Sequence, residues 1–218
     1  MAEESKKTTI VCHQCKTNEC LDRYPNGVPD FCQANKFWDV IERAKAEYFQ
    51  PEDLKIHIAT AKILKRGNEQ WPRVMEAIEF ARELGVSKVG LAVCVGLVRE
   101  GREFARFLNH AGLEVISVAC MIGGMSHTDT GIPEELAVEK GISCNPIAQA
   151  EILNQEGTGL NFIYGLCMGH DTLFIRHSEA PVTYIAVKDF ATGNNPTAAL
   201  FSPFLRRRIW EAYSGDKV

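Results

Sequence analysis

Lys88-Val89-Gly90-Leu91-Ala92-Val93 is the stretch on which the fold turns. After its first lysine the run is apolar without alternation, and it is too short for a helix. It therefore reads as a strand covered by helices on both faces of a parallel sheet. The pattern continues toward the C-terminus. Residues 97–110 carry the helical stripe Leu97, Phe104, Ala105 and Leu108, and Gly112 stops that helix. A second strand follows, Glu114-Val115-Ile116-Ser117-Val118-Ala119, then a long glycine-containing loop and a helix from Pro146 to about Gln155. Asn161-Phe162-Ile163-Tyr164-Gly165 and Val182-Thr183-Tyr184-Ile185-Ala186-Val187 make a third and a fourth strand. Strands rich in β-branched residues and spaced by helices predict an α/β fold: a Rossmann-like parallel sheet of about four strands, flanked by helices and joined by right-handed crossovers.

Toward the N-terminus, Phe37, Val40, Ile41, Ala44 and Tyr48 recur at helical spacing, as do Ala59 with Ile63, and Val74 with Ile78, Ala81 and Leu84. Pro51 and Pro72 suit first helical turns and Gly85 a C-terminal cap, so three helices are expected between Asn35 and Gly85. Residues 1–34 contain Cys12, Cys15, Cys20 and Cys32 among the turn formers Pro25-Asn26-Gly27 and Pro29-Asp30, with too few apolar residues to fold without a staple. The expected organisation is a cysteine-rich metal-binding module over residues 1–34. Residues 35–218 follow as a helical segment plus Rossmann-like domain packed as one unit.

The 218 residues carry a formal net charge of −4 and no long basic run, which argues against nucleic acid as a partner. The N-terminal Met1-Ala2-Glu3-Glu4-Ser5-Lys6-Lys7 is charged where a signal peptide needs an apolar core, and no apolar stretch is long enough to span a membrane. A cytoplasmic protein is expected. Eight cysteines then call for explanation, because the cytosol keeps thiols reduced and a chain of this size needs no disulfides.

The first set is Cys12-x2-Cys15-x4-Cys20-x11-Cys32. Four thiolates this close can hold a tetrahedral zinc or a four-iron cluster, since both need four soft anionic ligands converging on one point. A zinc ribbon has two Cys-x2-Cys knuckles and this chain has one, which favours the cluster. A thioredoxin-type dithiol at Cys12 and Cys15 would leave Cys20 and Cys32 without a role. His13, between the first two cysteines, reads as an exposed loop residue.

The second set emerges once the strands are placed. Cys94, Cys120 and Cys167 each follow a strand, and ligands of open parallel sheets bind outside the carboxyl ends of strands. Cys144 joins them if Asn145 caps the next helix with Pro146 in its first turn. Cys94, Cys120, Cys144 and Cys167 thus form a second candidate cofactor site. Small cysteines buried under helices would explain Cys94 and Cys120 as well. His170 and Asp171 suit a ligand or proton donor, but equally a structural histidine and a capping aspartate. His127-Thr128-Asp129 and Asp189 are similar cases. Met121-Ile122-Gly123-Gly124-Met125-Ser126 and Thr192-Gly193-Asn194-Asn195-Pro196 suggest close backbone approach and a helix opening toward an anion, although neither is a phosphate-loop fingerprint. Arg206-Arg207-Arg208 reads as a solvated face.

At Cys144-Asn145-Pro146-Ile147-Ala148-Gln149-Ala150-Glu151, Gly165-Leu166-Cys167-Met168-Gly169-His170-Asp171, Ala180-Pro181-Val182-Thr183 and Lys188-Asp189, the chain resembles a prokaryotic family of uncharacterised, predicted metal-binding proteins with a domain of unknown function. The resemblance runs over nearly the whole chain, including the cysteine-rich N-terminus. It implies metal ligation by Cys12, Cys15, Cys20 and Cys32 and marks Cys94, Cys120, Cys144 and Cys167 as one set, with no reaction attached.

The resulting expectation is an iron–sulfur (4Fe-4S) protein with one site at the N-terminal cysteines and a second at the strand edge. It would serve electron transfer or cluster-based chemistry on a small molecule, with a small-molecule substrate or a redox partner. The alternative is a zinc-stabilised, non-catalytic protein that binds or senses a small molecule. An interaction protein with partly structural cysteines is a third reading, and it predicts no convergence at the strand ends.

Overall fold

A computed structural model describes residues 12–24, 26–137 and 141–213. The charged segment 1–7 and Pro25 of the expected turn lie outside the described residues. The chain divides into two compact units, Met1–Ile58 and Ala59–Val218.

In the first unit the backbone turns at each cysteine. Short 3-10 turns cover Cys12–Gln14, Glu19–Asp22 and Gln33–Asn35. The Cys15 N–H donates to the Cys12 carbonyl at 3.1 Å, and the Cys32 N–H to the Pro29 carbonyl at 2.8 Å. Helix α1 (Trp38–Glu47) follows.

The second unit takes in α2 (Pro51–Gly67) from Ala59 onward, then α3 (Arg73–Glu83), β1 (Lys88–Val93), α4 (Val98–His110) and β2 (Glu114–Ala119). It continues through α5 (Pro146–Gln155), β3 (Leu160–Tyr164), α6 (His170–His177), β4 (Val182–Ala186), the four-residue α7 (Ala198–Phe201) and α8 (Pro203–Tyr213). All four strands are parallel, in the order β2-β1-β3-β4. The α/β class and the flanked four-stranded sheet are as the sequence predicts. The stretch Thr192 to Pro196 leads into the one-turn helix α7 at Ala198, and the loop before it folds onto Asp189, whose carboxylate accepts from the Ala191 and Thr192 N–H groups.

The sheet core explains why β1 lacks alternation. Its residues Val89, Leu91 and Val93 face α4, where Gly101 lets the helix come close: a Cβ there would lie 2.8 Å from Val93 Cγ2. On the same side Phe104 of α4 meets Phe162 of β3 edge-on, centroids 5.3 Å apart. The opposite face, with Ala92, Val118 and Ile163, packs against Ala150 and Leu153 of α5 and Phe174 of α6. Both faces are dry, so alternate residues cannot be polar.

Gly90 sits where that second face carries a buried polar pair. The Asn161 side chain accepts from Thr158 Oγ1 and donates to Ser178 Oγ, each at 2.8 Å. A Cβ on Gly90 would collide with Asn161 Oδ1 and lie 2.7 Å from Leu153 Cδ1. Overpacking and loss of the buried hydrogen bonds each cost on the order of 1–3 kcal/mol, so Gly90→Ala is expected to lower stability by about 3 kcal/mol. Urea unfolding monitored by circular dichroism checks this, and an unchanged midpoint would contradict it. Among the described residues, no helix is long and apolar enough to cross a membrane.

Candidate metal centre

Parallel pairing carries three cysteines to one edge. The pairs Val93↔Ala119 and Val93↔Tyr164 end β1 level with its neighbours, and the ladder runs one step further. Cys120 N–H donates to the Val93 carbonyl at 2.9 Å, and Cys94 N–H to the Tyr164 carbonyl at 3.1 Å. Cys167 lies three residues past β3, where its carbonyl accepts from the His170 and Asp171 N–H groups and so fixes the start of α6.

Cys144 arrives from the far end of the long loop. The Asn145 side chain accepts from the Ala148 N–H at 3.1 Å, and Pro146 occupies the first turn, the cap expected from the sequence. The Asn145 N–H also donates to the Cys120 carbonyl at 2.6 Å, which ties the head of α5 to the end of β2. Gln149, fully buried one turn later, donates to the Val118 carbonyl at 2.6 Å.

Three of the four thiols, Cys94, Cys120 and Cys144, form a chain whose electrostatics favour Cys94 as donor to Cys120 and Cys120 as donor to Cys144. Cys94, only 3% exposed, is raised well above the ordinary thiol range by donating to Cys120 and by burial. Cys120 is raised by donating to Cys144, in spite of the hydrogen bonds it receives from Cys94 and the Val95 N–H. Cys144, the acceptor at the end, is lowered by the Cys120 hydrogen bond, against the cost of its own burial.

His170 completes the group. One ligand atom each from Cys144, Cys167 and His170 all lie within 4.8 Å of one another, the one such triad among the described residues. His170 Nδ1 is buried with no hydrogen-bond partner. Burial first, and then the Lys188 ammonium, lower the imidazole below its usual value and keep it in the neutral, ligating form. Lys188, two residues past β4, donates to Cys167 Sγ at 3.3 Å.

The sequence places His170 near the site without deciding its role, and it gives none to Lys188. A signal for His170 exists in the Cys167-x2-His170 spacing, which on a helix start puts both side chains at one end. Lys188 enters the sequence reading only within the Lys188-Asp189 motif, with no role attached; it stands two residues past β4, whose register against β3 shifts at Ile163/Tyr164. Asp171 is a capping residue: its Oδ1 accepts from the Gly169 and Thr172 N–H groups and its Oδ2 from Tyr184. His127 is buried in the long loop, and Asp189 organises the turn that follows β4.

Cys12, Cys15, Cys20 and Cys32 of the first unit all line one hollow of about 640 Å³, together with Tyr24, Phe31, Phe37 and Ile41. Tyr24 Oη lies 3.9 Å from Cys32 Sγ, which raises the phenol. Cys15 is lowered by the Asn18 N–H and the Thr17 hydroxyl.

The fold is an open parallel α/β domain that gathers cysteines from four junctions at its carboxyl edge, where a Cys/His group could hold a metal ion. The chain belongs to the family described as "Protein of unknown function (DUF1847)", whose model matches residues 32–185, a range that includes all four strand-edge cysteines and His170. It is similar to "Uncharacterized protein MJ0455" of Methanocaldococcus jannaschii, 37% identical over 173 residues that cover 79% of this chain and 89% of that protein.

The metal-free protein should be alkylated by iodoacetamide at Cys144 before Cys94. The lowered pKa of Cys144 gives it more thiolate near neutral pH than a free cysteine, whereas Cys94 stays protonated until far more alkaline pH. The rate ratio, read by peptide mass spectrometry, is expected to exceed about tenfold, the equivalent of one pKa unit. Cys120→Ala removes the donor and should slow Cys144. Equal rates for the two residues would refute the directed chain.

Proposed function

We propose that the protein is a thiolate metalloprotein carrying metal at both cysteine sets, and that the strand-edge centre is where it meets a small molecule. The observation that carries this reading is the convergence of Cys144, Cys167 and His170 within 4.8 Å. Zn–S bonds of about 2.3 Å and Zn–N bonds of about 2.0–2.1 Å put tetrahedral donor atoms roughly 3.5–3.8 Å apart, so the three need close in only slightly around one ion. The donor chemistry fits as well: two sulfurs, an imidazole held neutral, and a buried ring nitrogen with no other partner. Three protein ligands are the pattern of sites that keep a coordination position for a substrate.

Each surrounding residue has a task that does not depend on the metal. Asn145 and Gln149 fix the head of α5 and with it Cys144. The Cys167 carbonyl sets the α6 start that presents His170. Cys94 and Cys120 fill the floor and exclude water. Bound there, a metal would supply a Lewis-acid or redox centre.

At the N-terminal set the four-iron cluster is the favoured occupant. Four thiols line one wide hollow, and they are not drawn into a triad as tight as the one at the strand edge. With Cys94 and Cys120 recruited, the strand edge also offers the four thiols of a second cluster. The compact triad favours a single ion instead. That same compactness supports the second reading, a zinc-stabilised binding or sensing protein without catalysis.

Iron, zinc and acid-labile sulfide measured on protein purified without oxygen decide among these. About four irons and four sulfides with one further divalent ion are expected. About eight of each would mean two clusters, and zinc without iron or sulfide would favour the sensor. Cys144→Ser with Cys167→Ser should remove the strand-edge metal and leave the N-terminal complement intact. Unchanged metal content in that variant would refute the strand-edge site.

A further inference from the structure

Among the described residues, Lys188 is a cation with no carboxylate partner. Its Nζ lies 3.3 Å from Cys167 Sγ and 5.0 Å from the centroid of the Phe190 ring. Phe190 in turn rests against Gly96, where a Cβ would come within 3.1 Å of its Cζ, so the ammonium is held between the ring and the strand-edge thiols. Among the described residues, no carboxylate oxygen lies within 4.0 Å of Nζ. The two acidic side chains at this edge are engaged elsewhere. Asp171 accepts from two amides and Tyr184, and Asp189 accepts from the Ala191 and Thr192 N–H groups.

An ammonium has three N–H donors. The Cys167 sulfur takes one and Cys94 is a second hydrogen-bond partner, while an aromatic face stabilises the charge without accepting a strong hydrogen bond. A half-buried lysine therefore retains a donor and a positive charge directly beside the ligand triad. Charge counting sharpens the point. A divalent ion held by Cys144 and Cys167 as thiolates and by a neutral His170 imidazole is neutral. Lys188 then leaves the surroundings of the fourth coordination position positive.

We propose that the strand-edge centre takes a compact monoanion, which ligates the metal at its fourth position while accepting a hydrogen bond from Lys188. This rests on the single-ion reading of the triad. The required ligand class follows from two conditions: a donor atom for the metal, and a negative charge within reach of Nζ. A neutral ligand meets only the first. Cys144, Cys167 and His170 are each partly exposed, so a ligand can approach the triad from solvent.

Cobalt(II) loading tests this with azide as the probe. Thiolate-to-cobalt charge transfer in the near ultraviolet reports the triad, and the visible ligand-field bands report the fourth position. At constant ionic strength, azide is expected to shift the visible bands saturably, with imidazole, the neutral control, far less effective. Lys188→Met should keep the charge-transfer band and weaken azide binding by at least about tenfold, the scale of a lost charged hydrogen bond, whereas Lys188→Arg should largely retain it. Bands that azide leaves unmoved, or equal azide affinity in Lys188→Met, would overturn the proposal while leaving the metal site standing. Lys188→Gln serves as a second variant, and loss of cobalt from both would make Lys188 a structural residue and also overturn it. A charge-transfer band that is missing, or that survives in Cys144→Ser with Cys167→Ser, would overturn the single-ion reading and the anion site together.

Discussion

Everything at the candidate centre depends on β1 pairing in parallel with a neighbour on each side. Parallel ladders end together, so the residues that follow β1, β2 and β3 must emerge on one edge. Cys94, Cys120 and Cys167 owe their proximity to this alone, since nothing in their local sequence brings them together. An antiparallel β2 would send Cys120 to the opposite end of the sheet. The buried Gly90 and Asn161 serve the same end, because they let α5 settle on the sheet at the height where Cys144 meets Cys120.

Local sequence was a good guide where local physics decides. The bounds of β1, β2 and α5 follow from apolar runs and from the Asn145-Pro146 cap, and the structure places them where that reading does. Four strand-end or helix-head cysteines were visible because the fold class dictates where a strand ends. The role of His170 was not, because a histidine after a loop has the same pattern whether it turns inward or outward. Gly169, at φ +88°, sets its direction. Lys188 was harder still: a lysine after a strand looks like any solvated residue, and its contact with Cys167 depends on the tertiary placement of β4 beside β3. The loop before α7 does double duty, since its Asn residues serve both a turn anchored on Asp189 and the start of the short helix.

The two cysteine sets differ in how they are built. At the N-terminus the cysteines are close in sequence and each lies on a tight turn, so a short stretch of chain supplies the whole set. At the strand edge the donors come from distant junctions and are oriented by backbone carbonyls, helix caps and one another. The first arrangement suits a group that organises its own surroundings, and the second suits a centre whose surroundings are already fixed by a core.

The second arrangement has a consequence for how the protein is made. The register that pairs Val89 with Leu160 joins segments far apart in the chain, and contacts of that kind form late and slowly during folding. Cys144, Cys167 and His170 cannot meet before β3 has docked beside β1. A nascent or partly folded chain therefore holds eight cysteines but no complete strand-edge centre. In the proposed reading, acquisition of metal there would mark the completion of folding, and an ion that binds only the finished topology would hold that topology closed against global unfolding.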